Sequence, residues 1–174
     1  MDRAADVLQS PPDRPRYARA AMLGCGWGLA SACVGTLCAL LLQALLPRTW
    51  LGPSAAAFMA DYGNAGLFWI GVVGIPLSET LTGQLLPMEI ARRLGSGKAV
   101  CILASAALFV LGHYLNGGLA HGIVTFLCGA IFARAYWGVR HHGYLPSCWS
   151  AYTAHMTHNF LLIFILGPLL PQLD

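Results

Sequence analysis

GVVGIPLSETLTGQLLP, residues 71–87, is an apolar run of small and branched residues with a single carboxylate, Glu79, at its middle. The run belongs to a longer apolar stretch, 65–86, with a polar extension to Arg93. Glu79 therefore lies about 21 Å along a spanning helix at 1.5 Å per residue, near the centre of a bilayer. A charge at that depth costs about 3 kcal/mol unless it is paired or wetted, so it is read as functional by default. Pro76 lies one turn before it and Pro87 two turns after. A proline without an N–H frees a backbone carbonyl and bends the helix, which makes room for water. A purely structural reading would have a protonated Glu79 tie helices together through Thr80, Thr82 or Gln84.

The rest of the chain agrees with a membrane setting. Of its 174 residues 57% are hydrophobic and 10% charged, against about 25% charged in a soluble domain. The mean hydropathy is +0.62. Five apolar spans can be drawn, at 20–46, 65–86, 99–115, 119–139 and 148–170, which predicts an all-α polytopic bundle of about five transmembrane helices. Pro47-Arg48, Gly95-Ser96-Gly97-Lys98, Asn116-Gly117-Gly118 and Arg140-His141-His142-Gly143 separate them. Residues 1–19 are polar and proline-containing and are expected to form a disordered cytoplasmic tail, with 20–174 a single membrane domain. The apolar run after the tail is too long for a signal peptide. The stretch 51–63 is short and apolar and is expected to lie in the interface or fold back. With the N-terminus in the cytoplasm, nine of the ten basic residues face inward and only Arg48 faces outward, the positive-inside pattern. The basic residues are topology markers, and no nucleic-acid partner is expected.

Polar residues in the other spans narrow the chemistry. Phe109 and His113 are four apart in the third span and share a face. His155 and Asn159 do the same in the fifth, with His158 beside them. An imidazole and an amide on one helix face form a pair of hydrogen-bond donors. His121, near the outer end of the fourth span, belongs to no motif and is read as packing. His141 and His142 lie in a basic loop. The six cysteines include no CxxC pair, and most lie in apolar runs, as packing residues do.

The order of these residues resembles the CAAX-protease and bacteriocin-processing family, the type II CAAX prenyl endopeptidases and their bacterial relatives, also called Abi proteins. Where that family has Glu-Glu-x-x-x-Arg, this chain has Glu79-Thr80-Leu81-Thr82-Gly83-Gln84. The second motif is Phe109 to His113, and the third is His155 to Asn159. Gly129, Arg134 and Trp149 fall between them as in the family. Two departures stand out: Thr80 replaces the second Glu, and Gln84 replaces the Arg, which removes the charge pair. A register with Ser78 as the first residue would put Gly83 at the Arg position and is rejected. The small size and variant first motif resemble the bacterial sorting-type, myxosortase-like branch.

The resemblance implies a glutamic-type intramembrane protease in the bacterial inner membrane, acting near the anchored C-terminal tail of a protein or peptide. Glu79 would be general base, His113 its assistant, and His155 with Asn159 would hold the oxyanion. Thr80, Gln84, Phe109 and His158 would support them, Gln84 by hydrogen bonding. No cofactor is expected. The alternative is a zinc version, with His113, His155 and Glu79 as ligands. Other readings are a non-catalytic immunity or partner protein on the same scaffold, and a small proton-coupled transporter, which would lack the expected inverted repeat. Gly52-Pro53-Ser54-Ala55 fits a loose serine-protease pattern in the wrong order for a rhomboid. Oligomeric state, substrate identity and the side to which the site opens are left open by the sequence.

Overall fold

The computed structural model describes residues 14–52 and 59–170, and these hold six helices and no strand. Helix α1 (Arg14–Leu45) is rich in Ala, Leu, Cys and Gly and has no proline between Pro15, in its first turn, and Pro47. It starts six residues before the boundary expected at 20, and residues 1–13 of the expected tail lie outside the described residues. Helix α2 is a single turn (Arg48–Leu51). Helix α3 (Asn64–Arg93) contains the segment 71–87. Helices α4 (Lys98–Leu115) and α5 (Gly117–Gly138) form a hairpin. Helix α6 runs from Tyr144 to Leu161 and continues through a π-helical turn at Leu162–Leu166 to Gly167–Leu169.

Four of these helices, α1, α3, α4 and α5, are long and apolar enough to cross a membrane. The fifth span of the sequence reading is present as α6 and is comparably long, but it is more polar. Ser147, Ser150, Thr153, His155 and His158 on α6 are all buried. Its polar groups therefore face the other helices; Ser147 and Thr153 bond carbonyls one turn back along the chain, and Tyr152 and Asn159 bond carbonyls of α3. The outer surface is apolar instead: Met22, Leu29, Leu37, Leu41 and Leu45 of α1 and Leu103, Leu111 and Leu115 of α4 are exposed. Such a surface is costly in water and expected in lipid.

Close packing depends on small residues. A Cβ at Gly24 would come within 2.4 Å of the Ser150 carbonyl, and one at Gly28 within 2.4 Å of the Ala154 carbonyl. The α1 and α6 backbones touch there, as in small-xxx-small helix pairs. The α4–α5 hairpin turns at Gly118 (φ 76, ψ −169), which interrupts an otherwise continuous helical run from Lys98 to Gly138. That left-handed angle is strained for any residue with a Cβ. Gly52 rests on this turn: a Cβ on it would lie 2.3 Å from the Gly117 carbonyl. Residues 53–58 of the 51–63 stretch, and with them Pro53, Ser54 and Ala55 of the serine pattern, lie outside the described residues.

Helix α3 is wound irregularly. It is π-helical at Leu67–Gly74 and at Thr80–Leu85, each stretch ending at the residue before a helix that has proline at its start. The Ile75 N–H bonds the Ile70 carbonyl and the Leu86 N–H that of Leu81, five residues back in each case. Such widened turns cluster at functional sites. The widening leaves Glu79 between the two π stretches.

Two apolar clusters hold the bundle. One contains Met88, Cys101, Ala133, Tyr136 and Ala151. The other contains Phe109, Cys128, Phe132, Ala135 and Ala154. Beside the first cluster lies a polar clamp that the sequence reading missed. Glu89 of α3 is buried and accepts hydrogen bonds from Arg140, Arg92 at 2.9 Å and Tyr136 at 2.9 Å. Arg140 reaches it with both Nε and Nη2, the latter at 3.1 Å. Bidentate pairing of this kind is the strong form of an Arg–carboxylate contact. The clamp ties the C-terminal end of α3 to the α5–α6 loop and fixes the arginine-rich end of the bundle.

Candidate active site

Glu79 enters the site from α3, His113 from α4 and His155 from α6. Glu79 offers one carboxylate oxygen to each imidazole: Oε1 lies 3.7 Å from His113 Nε2, and Oε2 lies 3.4 Å from His155 Nε2. The Glu79 side chain is 30% exposed, that of His113 20% and that of His155 4%. The carboxylate is thus accessible and the imidazoles back it. The 3.7 Å gap is too long for a direct hydrogen bond and wide enough for a water bridging both groups.

Phe109 organises the two histidines. Its carbonyl accepts a hydrogen bond from His113 Nδ1 at 2.9 Å, so the proton on neutral His113 sits at Nδ1 and Nε2 faces Glu79 as an acceptor. Its ring stacks on His113 at 4.6 Å and meets His155 edge-on at 5.5 Å. Glycines make space for that ring: a Cβ at Gly83 of α3 would be 3.1 Å from Phe109 Cδ2, and one at Gly129 of α5 3.0 Å from Cδ1. Phe132 of α5, which the sequence reading did not single out, stacks on His155 at 4.6 Å and contacts the His158 ring edge-on at 5.4 Å. His158 thus lies behind His155, one aromatic ring removed from the carboxylate.

Asn159 does not share the carboxylate with His155. Its Nδ2 donates to the Gly71 carbonyl of α3 at 2.8 Å, while two turns earlier Tyr152 donates to the Val73 carbonyl at 3.2 Å. One of the two amide hydrogens of Asn159 is therefore committed to α3. Thr80 and Gln84 are both fully buried. The Ser105 hydroxyl of α4 lies 2.7 Å from Gln84 Oε1 and 2.8 Å from the Gly83 carbonyl, sharing its hydrogen between them. Gln84 therefore fastens α3 to α4 below the carboxylate. His121, read from the sequence as packing, lies with its ring 5.5 Å from that of His113 across the hairpin. Nothing in the sequence signalled this, because the pairing depends on the turn at Gly118.

Among the described residues, no three His, Cys, Asp or Glu side chains converge on one point as metal ligands. Glu79 turns a separate oxygen to each imidazole.

A protein-family model described as type II CAAX prenyl endopeptidase Rce1-like matches residues 61–161, which include α3, α4, α5 and the polar part of α6. No curated protein and no solved structure matches the chain. Because that match covers more than half of the sequence and contains the whole carboxylate–imidazole cluster, the chain belongs to the Rce1-like family of type II CAAX prenyl endopeptidases, membrane-embedded proteases by family.

Proposed function

We propose that the protein is an intramembrane endopeptidase of glutamic type that cuts a peptide bond near the membrane-anchored C-terminal tail of a substrate protein. The observation that carries this reading is the accessible Glu79 carboxylate held between His113 Nε2 and His155 Nε2. A water seated between Glu79 and His113 gives one proton to the carboxylate and a hydrogen bond to Nε2. Its oxygen bonds the scissile carbonyl carbon, and the carbonyl electrons move onto oxygen. His155, donating from Nε2, and Asn159, with its second amide hydrogen, stabilise that oxyanion. The tetrahedral intermediate then collapses. The C–N bond breaks, and protonated Glu79 returns its proton to the leaving nitrogen. Gln84, through Ser105, and Phe109, against both imidazoles, position these groups, while Thr80 and His158 are buried beside them.

The departures at Thr80 and Gln84 favour one competing reading, a partner protein that retains the scaffold without turnover. One experiment separates the two. Purified protein in proteoliposomes is given a reporter with a C-terminal membrane anchor, and wild type is compared with Glu79→Ala. Cleavage by wild type alone supports the protease, and equal signals from both reject it. A parallel arm with a strong zinc chelator is expected to leave the rate unchanged. Loss of activity on chelation, restored by zinc, would replace glutamic chemistry with the metal version.

A further inference from the structure

We infer that the groove between the first turns of α1 and α6 binds an anionic phospholipid of the surrounding bilayer, with the phosphate on Arg16 and one acyl chain running toward Leu77. The site is separate from the Glu79 chemistry and stands whether or not the protein is a protease.

Tyr17 and Ala21 of α1, Leu145, Trp149 and Tyr152 of α6 and Leu77 of α3 wall a groove of about 560 Å³, within the range of about 300–1,000 Å³ usual for small-ligand sites. The walls are almost wholly apolar. Leu77, Leu145 and Trp149 are exposed along the rim, so the groove opens sideways to lipid. From Leu145 to Tyr152 is about 10 Å along α6, against about 15 Å of hydrocarbon in one leaflet. Lipid tails are as apolar as these walls, so the chain supplies fit but little selectivity.

Selectivity comes from the arginine-rich end. The Arg16 guanidinium lies 5.4 Å from the centre of the Tyr17 ring, and that of Arg140 lies 4.1 Å from the Tyr144 ring, next to Leu145. Arg140 is committed to Glu89. Arg16 has no carboxylate partner among the described residues, and its Nε is buried without a hydrogen-bond partner. A buried guanidinium N–H left unpaired is costly, and a phosphate oxygen satisfies it with a charge-assisted bond. Glu89 is paired with both Arg92 and Arg140, so the clamp keeps a surplus positive charge, and the exposed Arg19 and Arg93 add to it. Basic pockets between helices attract anionic headgroups, whereas a zwitterionic headgroup brings its own ammonium into the same field. Tyrosine and tryptophan rings settle at headgroup level, as Tyr17, Tyr144 and Trp149 would here.

An occupant touches all three helices. Leu77 lies two residues before Glu79 and Tyr152 three before His155, and the Tyr152 hydroxyl bonds the Val73 carbonyl of α3. Binding to the folded state alone raises the melting temperature.

The test uses the full chain, delipidated in detergent and given dioleoyl-phosphatidylglycerol or dioleoyl-phosphatidylcholine. Bound lipid is counted by native mass spectrometry, and the thermal midpoint is followed in parallel. Wild type is compared with Arg16→Gln, with Arg19→Gln, which removes the same charge from an exposed position, and with Ala21→Phe, which fills the groove. Wild type and Arg19→Gln are expected to bind one phosphatidylglycerol about tenfold more tightly than phosphatidylcholine, with a raised midpoint. Arg16→Gln should lose about fivefold of that preference, the worth of one arginine, and Ala21→Phe should lose both lipids. Equal affinity of wild type for the two lipids overturns the inference. Equal losses in Arg16→Gln and Arg19→Gln also overturn it, since the preference would then come from a diffuse positive field. Should Ala21→Phe fail to fold, the two arginine variants decide alone.

Discussion

Asn159 of α6 makes the hydrogen bond that Pro76 of α3 cannot. In a π-helical turn the N–H of residue 76 would bond the carbonyl of residue 71, five positions back, as Ile75 does to Ile70. Proline has no N–H, so the Gly71 carbonyl is left over, and Asn159 Nδ2 donates to it at 2.8 Å. The bend that accommodates Glu79 and the contact that brings His155 to it are therefore one device.

That device predicts coupling. Asn159→Ala should destabilise the protein by about 1–3 kcal/mol, because a backbone acceptor within the bundle loses its donor. Pro76→Ala in the same molecule restores an N–H and should recover part of the loss. Unfolding in detergent, followed for both single variants and the double variant, checks this. Strictly additive effects would show that the two residues do not serve the same carbonyl.

Glu79→Gln should lower kcat by about 10²–10⁴-fold, the usual contribution of a general base. Its melting temperature should stay close to that of wild type, since Glu79 is partly exposed and its nearest imidazole is 3.4 Å away. A large drop in stability with residual turnover would make Glu79 a structural residue.

Space around Phe109 is predicted to limit activity. Gly129→Ala places a methyl 3.0 Å from the ring and should cost about 1–3 kcal/mol by overpacking. By displacing the ring it should also cut kcat at least tenfold, because the same residue stacks on His113 and holds its Nδ1. Adding Phe109→Leu should return stability but not rate. The thermal midpoint and kcat of the three variants separate the two effects.

Glu89 lies ten residues beyond Glu79, about 15 Å along α3, and its role is predicted to be structural. Glu89→Gln and Arg140→Gln should each destabilise by about 1–3 kcal/mol, and the double variant should lose less than the sum. Turnover per folded molecule should match wild type in all three. Its loss in a folded Glu89→Gln protein would place the clamp within the catalytic unit.

Much of this molecule is legible in its sequence, because a polar group in an apolar run is expensive wherever the run is placed. That cost singles out Glu79, His113, His155 and Asn159, and length with hydropathy marks the spans. Gly117-Gly118 marks the hairpin because few other residues adopt its angles. Helical periodicity tells which residues share a face, but not what lies opposite, and here the sequence falls short. His121 reads as packing, but that it packs on the His113 ring is set by the turn, and Glu89 does not stand out because its partner Arg140 is 51 residues away. The Asn159 amide was directed to the oxyanion, while in the fold one of its hydrogens goes to Gly71. The number of strongly apolar spans differs for the same reason. The polar residues of α6 lower its hydropathy, and only the packed bundle reveals that they face inward. Sequence determined which groups are too costly to leave in lipid; tertiary structure decided how they are satisfied, since that depends on distances between helices that local patterning does not encode.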